Sequence, residues 1–194
     1  MQIKKEEIRL KILEVATDEF LIKGYENASM RTIAKKSHTT LGNIYHYYQN
    51  KEVLLETILL PTIENIETMV SKHIENEHKN SLTKEEVLYK AQHLEEIFDQ
   101  TELPCFIDKR VVILLKLNSS HLLERKEKIL KSLLEHLQEY FNMDSEVHYT
   151  EIVLEMMIEC VKHVLIEHNN LEDAKAEFIK FFKFICTGVA GQIG

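Results

Sequence analysis

The sequence predicts an all-α protein, from its sparse turn formers and its helical periodicity. No glycine occurs between Asn43 and Thr187, and the only prolines are Pro61 and Pro104. Both residue types punctuate turns and sheet edges, so their scarcity favours helices joined by short polar links. Apolar residues recur every three or four positions, and period-two alternation over strand-length windows is lacking.

The first helix is expected from about Ile3 to Lys23, where Ile8, Ile12, Ala16 and Phe20 recur every four residues beside Val15. Lys23-Gly24-Tyr25 ends it, because glycine tolerates the left-handed position that follows a helix. Ser29 is placed to cap a short second helix carrying Met30, Ile33, Ala34 and Ser37 on one face. After a polar break at His38-Thr39-Thr40, a third short helix spans roughly Leu41 to Tyr47. Asn50-Lys51-Glu52 opens a long helix through Val53, Leu54, Ile58, Ile63, Ile66 and Val70, closing at His78 to Ser81. Pro61 lies inside it and, having no backbone donor, is expected to kink or divide it. Thr83-Lys84-Glu85-Glu86 has the pattern of a capping box. Pro104 and Asn118-Ser119-Ser120 mark further boundaries. Asp144-Ser145-Glu146 can cap a long helix to about His168, and Asn169-Asn170 breaks it. The last helix runs from about Leu171 to Thr187, before a glycine-bearing tail, giving about nine helices.

A chain of 194 residues can bury a real core. Its opening residues lack the apolar run of a signal peptide, and the longest aliphatic block, Val111 to Leu115, is too short for a bilayer. The scattered Cys105, Cys160 and Cys186 are no disulfide framework, so a cytoplasmic home is expected. The net charge of −8 is unevenly spread. Residues 1–52 hold nine Lys/Arg against seven Asp/Glu, a balance of +2, while residues 53–194 hold fifteen against twenty-five, a balance of −10. A mildly basic head on an acidic body fits a nucleic-acid-reading module over 1–52 joined to a regulatory one over 53–194.

The stretch from Ser29 to Lys51 has what a helix-turn-helix needs. Ile33 and Ala34 on one helix face Ile44 on the next across a tight turn, Ser37-His38-Thr39. Hydroxyls and amides gather at the start of the second helix, where they can reach base edges and phosphates. The run Ala28-Ser29-Met30-Arg31-Thr32-Ile33-Ala34-Lys35-Lys36, followed by Gly42-Asn43-Ile44-Tyr45-His46-Tyr47-Tyr48-Gln49-Asn50-Lys51-Glu52, resembles the N-terminal domain of the tetracycline-repressor (TetR) family. Phe20 and Lys23-Gly24-Tyr25 match that family's first helix and its exit, so the resemblance covers roughly residues 5–55.

The resemblance implies DNA-facing roles. Ser29 would cap the second helix and touch a phosphate, with Arg31 close to the backbone. Thr39, Thr40, Leu41 and Asn43 would face DNA, with Tyr45 and His46 on or beside the reading surface. Tyr47 and Lys51 would bind phosphate, and Gly42 would let the helix approach closely. Two departures bear on the operator. His38 stands where glycine is usual and must either turn left-handed or reshape the turn. Leu41 stands where a basic residue is frequent, offering an apolar contact instead, such as one to a thymine methyl.

The helix over 146–168 and the last helix are both too apolar for one-sided burial, which favours a two-fold four-helix bundle between two subunits. Its candidate contacts are Ile152, Met156, Cys160, His163, Val164, Phe178, Phe182 and Ile185. The resemblance further implies a ligand pocket among the middle helices. Candidates for its lining are Met69, Tyr89, His93, Phe98, Phe106, Leu114, Leu117 and Met157, suited to a hydrophobic or amphipathic effector. The ten histidines lack the spacing of a dedicated zinc site. No glycine-framed serine, phosphate loop or cofactor fingerprint occurs. No metal, cofactor or catalytic residue is therefore expected. The expected partners are double-stranded operator DNA, a second copy of the chain and a small effector, with repression the default. Two alternatives stay open: a DNA-binding factor regulated by a protein partner, and a helical small-molecule-binding protein that binds no DNA.

Overall fold

The computed structural model describes residues 2–77, 83–101, 103–140 and 147–191, and within them every regular element is helical. Ten α-helices run in chain order: α1 (Gln2–Lys23), α2 (Met30–Lys36), α3 (Leu41–Tyr47), α4 (Lys51–Glu77), α5 (Lys84–Gln92), α6 (Leu94–Ile97), α7 (Lys109–Lys116), α8 (Leu123–Tyr140), α9 (Val147–Glu167) and α10 (Leu171–Ala190). The expected stop at residues 78–81 and the cap at 144–146 lie outside the described residues.

Local chemistry sets most boundaries. Gly24, with φ +75°, follows α1, and its N–H bonds back to the Phe20 carbonyl at 2.9 Å. Asn50 Oδ1 accepts from Val53 N at the start of α4, and Asp108 Oδ1 from Arg110 N at the start of α7. Thr83 and Glu86 close the capping box reciprocally. Two sequence expectations are amended. Pro61 does not divide α4, which runs unbroken across it. The last helix continues past Thr187 to Ala190, so Gly188 lies within it, even though glycine is a poor helix former.

One buried cluster runs from α1, α2 and α3 through α4 and α7 to α9 and α10, with Ile12, Ile33, Ile44, Leu55 and Ile63 fully buried. The boundary expected after residue 52 falls in the first turn of α4, and this cluster crosses it. Helix α7 is the hub: Val111, Val112, Ile113 and Leu114 are all buried, so it is covered on every side. A second cluster joins α5, α8, α9 and α10 through Val87, Leu137, Val153 and Ile185.

Candidate DNA interface and effector cavity

Helices α2 and α3 cross on Ile33, Ala34 and Ile44, all buried. The turn between them is a Schellman motif: Thr39 N donates to the Ala34 carbonyl at 3.0 Å and His38 N to the Lys35 carbonyl at 3.2 Å. His38 occupies its left-handed position, with φ +52°. Of the two alternatives left by the sequence, the chain takes the left-handed one, at about 1–2 kcal/mol for a residue with a Cβ. Ser29 caps α2 by accepting from Thr32 N at 3.4 Å, and Thr40 caps α3 by accepting from Asn43 N at 3.1 Å. The Asn43 amide also donates to the Thr39 hydroxyl at 2.7 Å, which orients both side chains.

The outward side of α3 carries Gly42, Tyr45 and His46, with Leu41 and Asn43 half-buried beside them. Tyr45 is 45% exposed, and a Cβ on Gly42 would meet nothing within 4 Å. Arg31 lies exposed on α2. Tyr47 and Lys51 are engaged within the chain. The Tyr47 hydroxyl donates to the Lys5 carbonyl at 3.2 Å. Lys51 Nζ donates to the carbonyls of Tyr25, Glu26 and Ala28 at 2.8, 3.1 and 3.3 Å, and lies 4.6 Å from the centre of the Tyr25 ring. This lysine ties the loop ahead of α2 to the first turn of α4.

The body holds a partly open cavity of about 390 Å³ among α4 to α10. Met69, Phe106, Leu114 and Met157 line it as the sequence led us to expect. Four other expected positions do not line it. Tyr89 is 64% exposed and packs on His93, ring centres 4.2 Å apart. Phe98 is buried edge-on against Phe178, and Leu117 is enclosed in the core. Ile66, Leu94, Ile129, Leu133, Phe178 and Phe182 complete much of the apolar wall, and Lys90, Lys126 and His136 also border it. Cys186 borders it as well, and burial pushes its thiol up to about 12.

The expected dimer contacts divide. Ile152, Met156 and His163 are exposed, but Cys160, Val164, Phe178 and Ile185 are buried within the protomer, and Phe182 turns to the cavity. Tyr149 and Ile166 on α9 and Phe181 and Phe184 on α10, with Ile152 and Met156, also leave large apolar side chains exposed. The two helices are apolar on two faces, and hydrophobic content alone does not tell one face from the other.

A latch between the head and the α7–α8 loop was not foreseen from the sequence. Glu26 Oε1 accepts from Asn118 N, Ser119 N and the Ser119 hydroxyl at 3.0–3.1 Å. Glu52 accepts from the hydroxyls of Tyr25 and Ser120, and from His121 N at 3.0 Å. His121 Nδ1 lies 2.6 Å from Glu52 and its Nε2 3.5 Å from Glu56. Burial pushes both carboxyls, Glu26 and Glu52, upward, but the hydrogen bonds outweigh it and hold them below the usual value.

Comparison with known proteins bears on this arrangement. The profile of bacterial regulatory proteins, tetR family, matches residues 12–58, which is α1 from its middle through the first third of α4. The HTH-type transcriptional regulator UidR of Escherichia coli K12 is 32% identical over 78 residues, spanning 40% of this chain and 40% of that relative. A solved structure titled as a tetR-family transcriptional regulator, from Mesorhizobium loti, aligns over 97% of both chains with a TM-score of 0.51 at 17% identity, a likeness of fold.

Proposed function

We propose, for a chain whose residues 12–58 belong to the bacterial regulatory proteins of the tetR family, that it is a dimeric transcriptional regulator released from its operator by a small apolar effector. The observation that carries this is the outward face of α3. Thr39, Asn43, Tyr45 and His46 stand clear of the core at the second helix of a closed helix-turn-helix. Thr40 spends its hydroxyl on the cap, leaving the opening of α3 ordered.

Dimerisation would use the exposed apolar residues of α9 and α10, because a two-fold reader needs paired heads. The cavity supports the effector: its volume lies within the range of small-molecule pockets, and its wall is mostly carbon. Ligand would favour a dimer whose α3 helices are badly spaced for the operator. Repression and a cytoplasmic location complete the reading; no described helix is long and apolar enough to cross a membrane. Its test is selection of genomic fragments by the purified protein. The reading expects a two-fold site whose half-sites are whole helical turns apart; recovery of fragments with no common sequence contradicts it.

A further inference from the structure

We propose that the cavity takes a linear apolar molecule ending in an anionic head, and that this head acts by drawing the Lys126 ammonium off the carbonyls of Leu115 and Leu117. The proposal rests on the regulator reading for its effect on DNA, but not for its claim about binding.

The shape comes from α8. Lys126, Ile129, Leu130, Leu133, His136 and Leu137 all border the cavity, and their spacing puts them on one face of that helix. From Lys126 to His136 is ten residues, about 15 Å at 1.5 Å per residue. An extended chain advances about 1.2 Å per bond, since a residue of about 3.6 Å spans three bonds. The groove along α8 therefore matches an unbranched chain of roughly a dozen atoms.

The head group comes from Lys126. Its Nζ donates to the Leu115 carbonyl at 3.0 Å and to the Leu117 carbonyl at 2.8 Å, so both of its hydrogen bonds go to neutral acceptors. Burial depresses its pKa, and Lys162 adds to this, while the nearby Glu127 and Glu26 offset it only in part. A carboxylate or phosphate at this end offers a charge-assisted bond, roughly twice as strong as one to a carbonyl.

The consequence follows from what those carbonyls hold. Leu115 and Leu117 sit at the end of α7, immediately before the loop at 118–121. That loop is gripped by Glu26 and Glu52. Glu52 also takes the Tyr25 hydroxyl, and its neighbour Lys51 holds the carbonyls of residues 25, 26 and 28 just ahead of the Ser29 cap. A head group that takes Lys126 frees the α7 terminus, and the displacement passes through the two glutamates to the base of the helix-turn-helix.

The test is calorimetry on the full chain with dodecanoate and 1-dodecanol as probes, followed by operator binding with each. Dodecanoate should bind at least tenfold more tightly than the alcohol. Lys126→Met should bring that ratio close to one, and Lys90→Gln should leave the ratio intact. Lys126→Gln, which keeps a donor but no charge, stands in if the methionine variant does not fold. With DNA present, dodecanoate should weaken operator binding at least tenfold, and Lys126→Met should bind weakly with no ligand at all. Equal affinity for acid and alcohol, binding of neither, a ratio that survives both Lys126 substitutions, or one lost in Lys90→Gln overturns the ligand assignment. Dodecanoate that binds without loosening the operator overturns the relay. Calorimetry needs no DNA, so a protein that binds no operator sinks the regulator reading alone.

Discussion

His38 is held at φ +52° although it carries a Cβ, and its Schellman hydrogen bonds fix where α3 begins. Replacing it with glycine removes that strain, so His38→Gly should stabilise the fold by up to about 1 kcal/mol, the gain being trimmed by the flexibility glycine adds to the unfolded chain. His38→Val should destabilise it; urea unfolding of the pair checks both signs. Lys51 makes a second residue-scale case. Sequence resemblance implies a phosphate contact, yet its ammonium satisfies three carbonyls of the loop before α2. Lys51→Met should therefore lower unfolding stability by about 1–3 kcal/mol in the absence of any DNA. An unchanged stability would mean that the three bonds contribute nothing net. The cap at Ser29 was legible because an N-cap acts over three residues, whereas Thr40, expected only to face DNA, also caps α3. The engagement of Lys51 was not legible, since its acceptors lie 23 to 26 residues away.

Among the elements, α4 is the one that crosses from head to body, and Pro61 leaves the Thr57 carbonyl without its helical donor. Of the kink or division that the sequence offered, the division does not occur, and Leu59, Thr62 and Ile63 are buried on both sides of the proline. Pro61→Ala should raise stability by about 1–3 kcal/mol and stiffen the connection, weakening the response to effector. A variant with unchanged stability and response would remove Pro61 from the mechanism. The α7–α8 loop is the second informative element. Its grip by Glu26 and Glu52 joins residues up to 93 positions apart, beyond any local pattern. Glu52 titrates below its usual value of 4.5 when folded, so it stabilises the fold above that pH, and the contribution fades as acid protonates it. Glu52→Gln should accordingly be less stable than the parent at pH 7, with the gap shrinking as pH falls below about 4.5. A gap independent of pH would mean that the latch does not depend on the charge.

For the whole molecule, the all-α class was legible from glycine scarcity and helical spacing. The division of α9 and α10 into inner and outer faces was not. Phe178 and Phe182 turn inward while Phe181 and Phe184, one and two residues away, turn out, and all four look alike by composition. Phe184 is 71% exposed, and the proposed dimer would cover it. Phe184→Glu should shift the protein from dimer to monomer in sedimentation, and weaken operator binding with it, because paired heads bind paired half-sites. A dimer that survives this charge would move the interface to another face.

The central claim is that α3 reads DNA, and it is tested most directly by operator affinity across a salt series, with Tyr45→Ala beside the parent protein. Tyr45 has no described hydrogen bond in the fold, so its removal reports on DNA and spares stability. The account predicts selective binding whose logarithm falls linearly with the logarithm of salt, and a variant at least tenfold weaker with an unchanged melting temperature. Weak binding, equal on every DNA and indifferent to Tyr45, would contradict it.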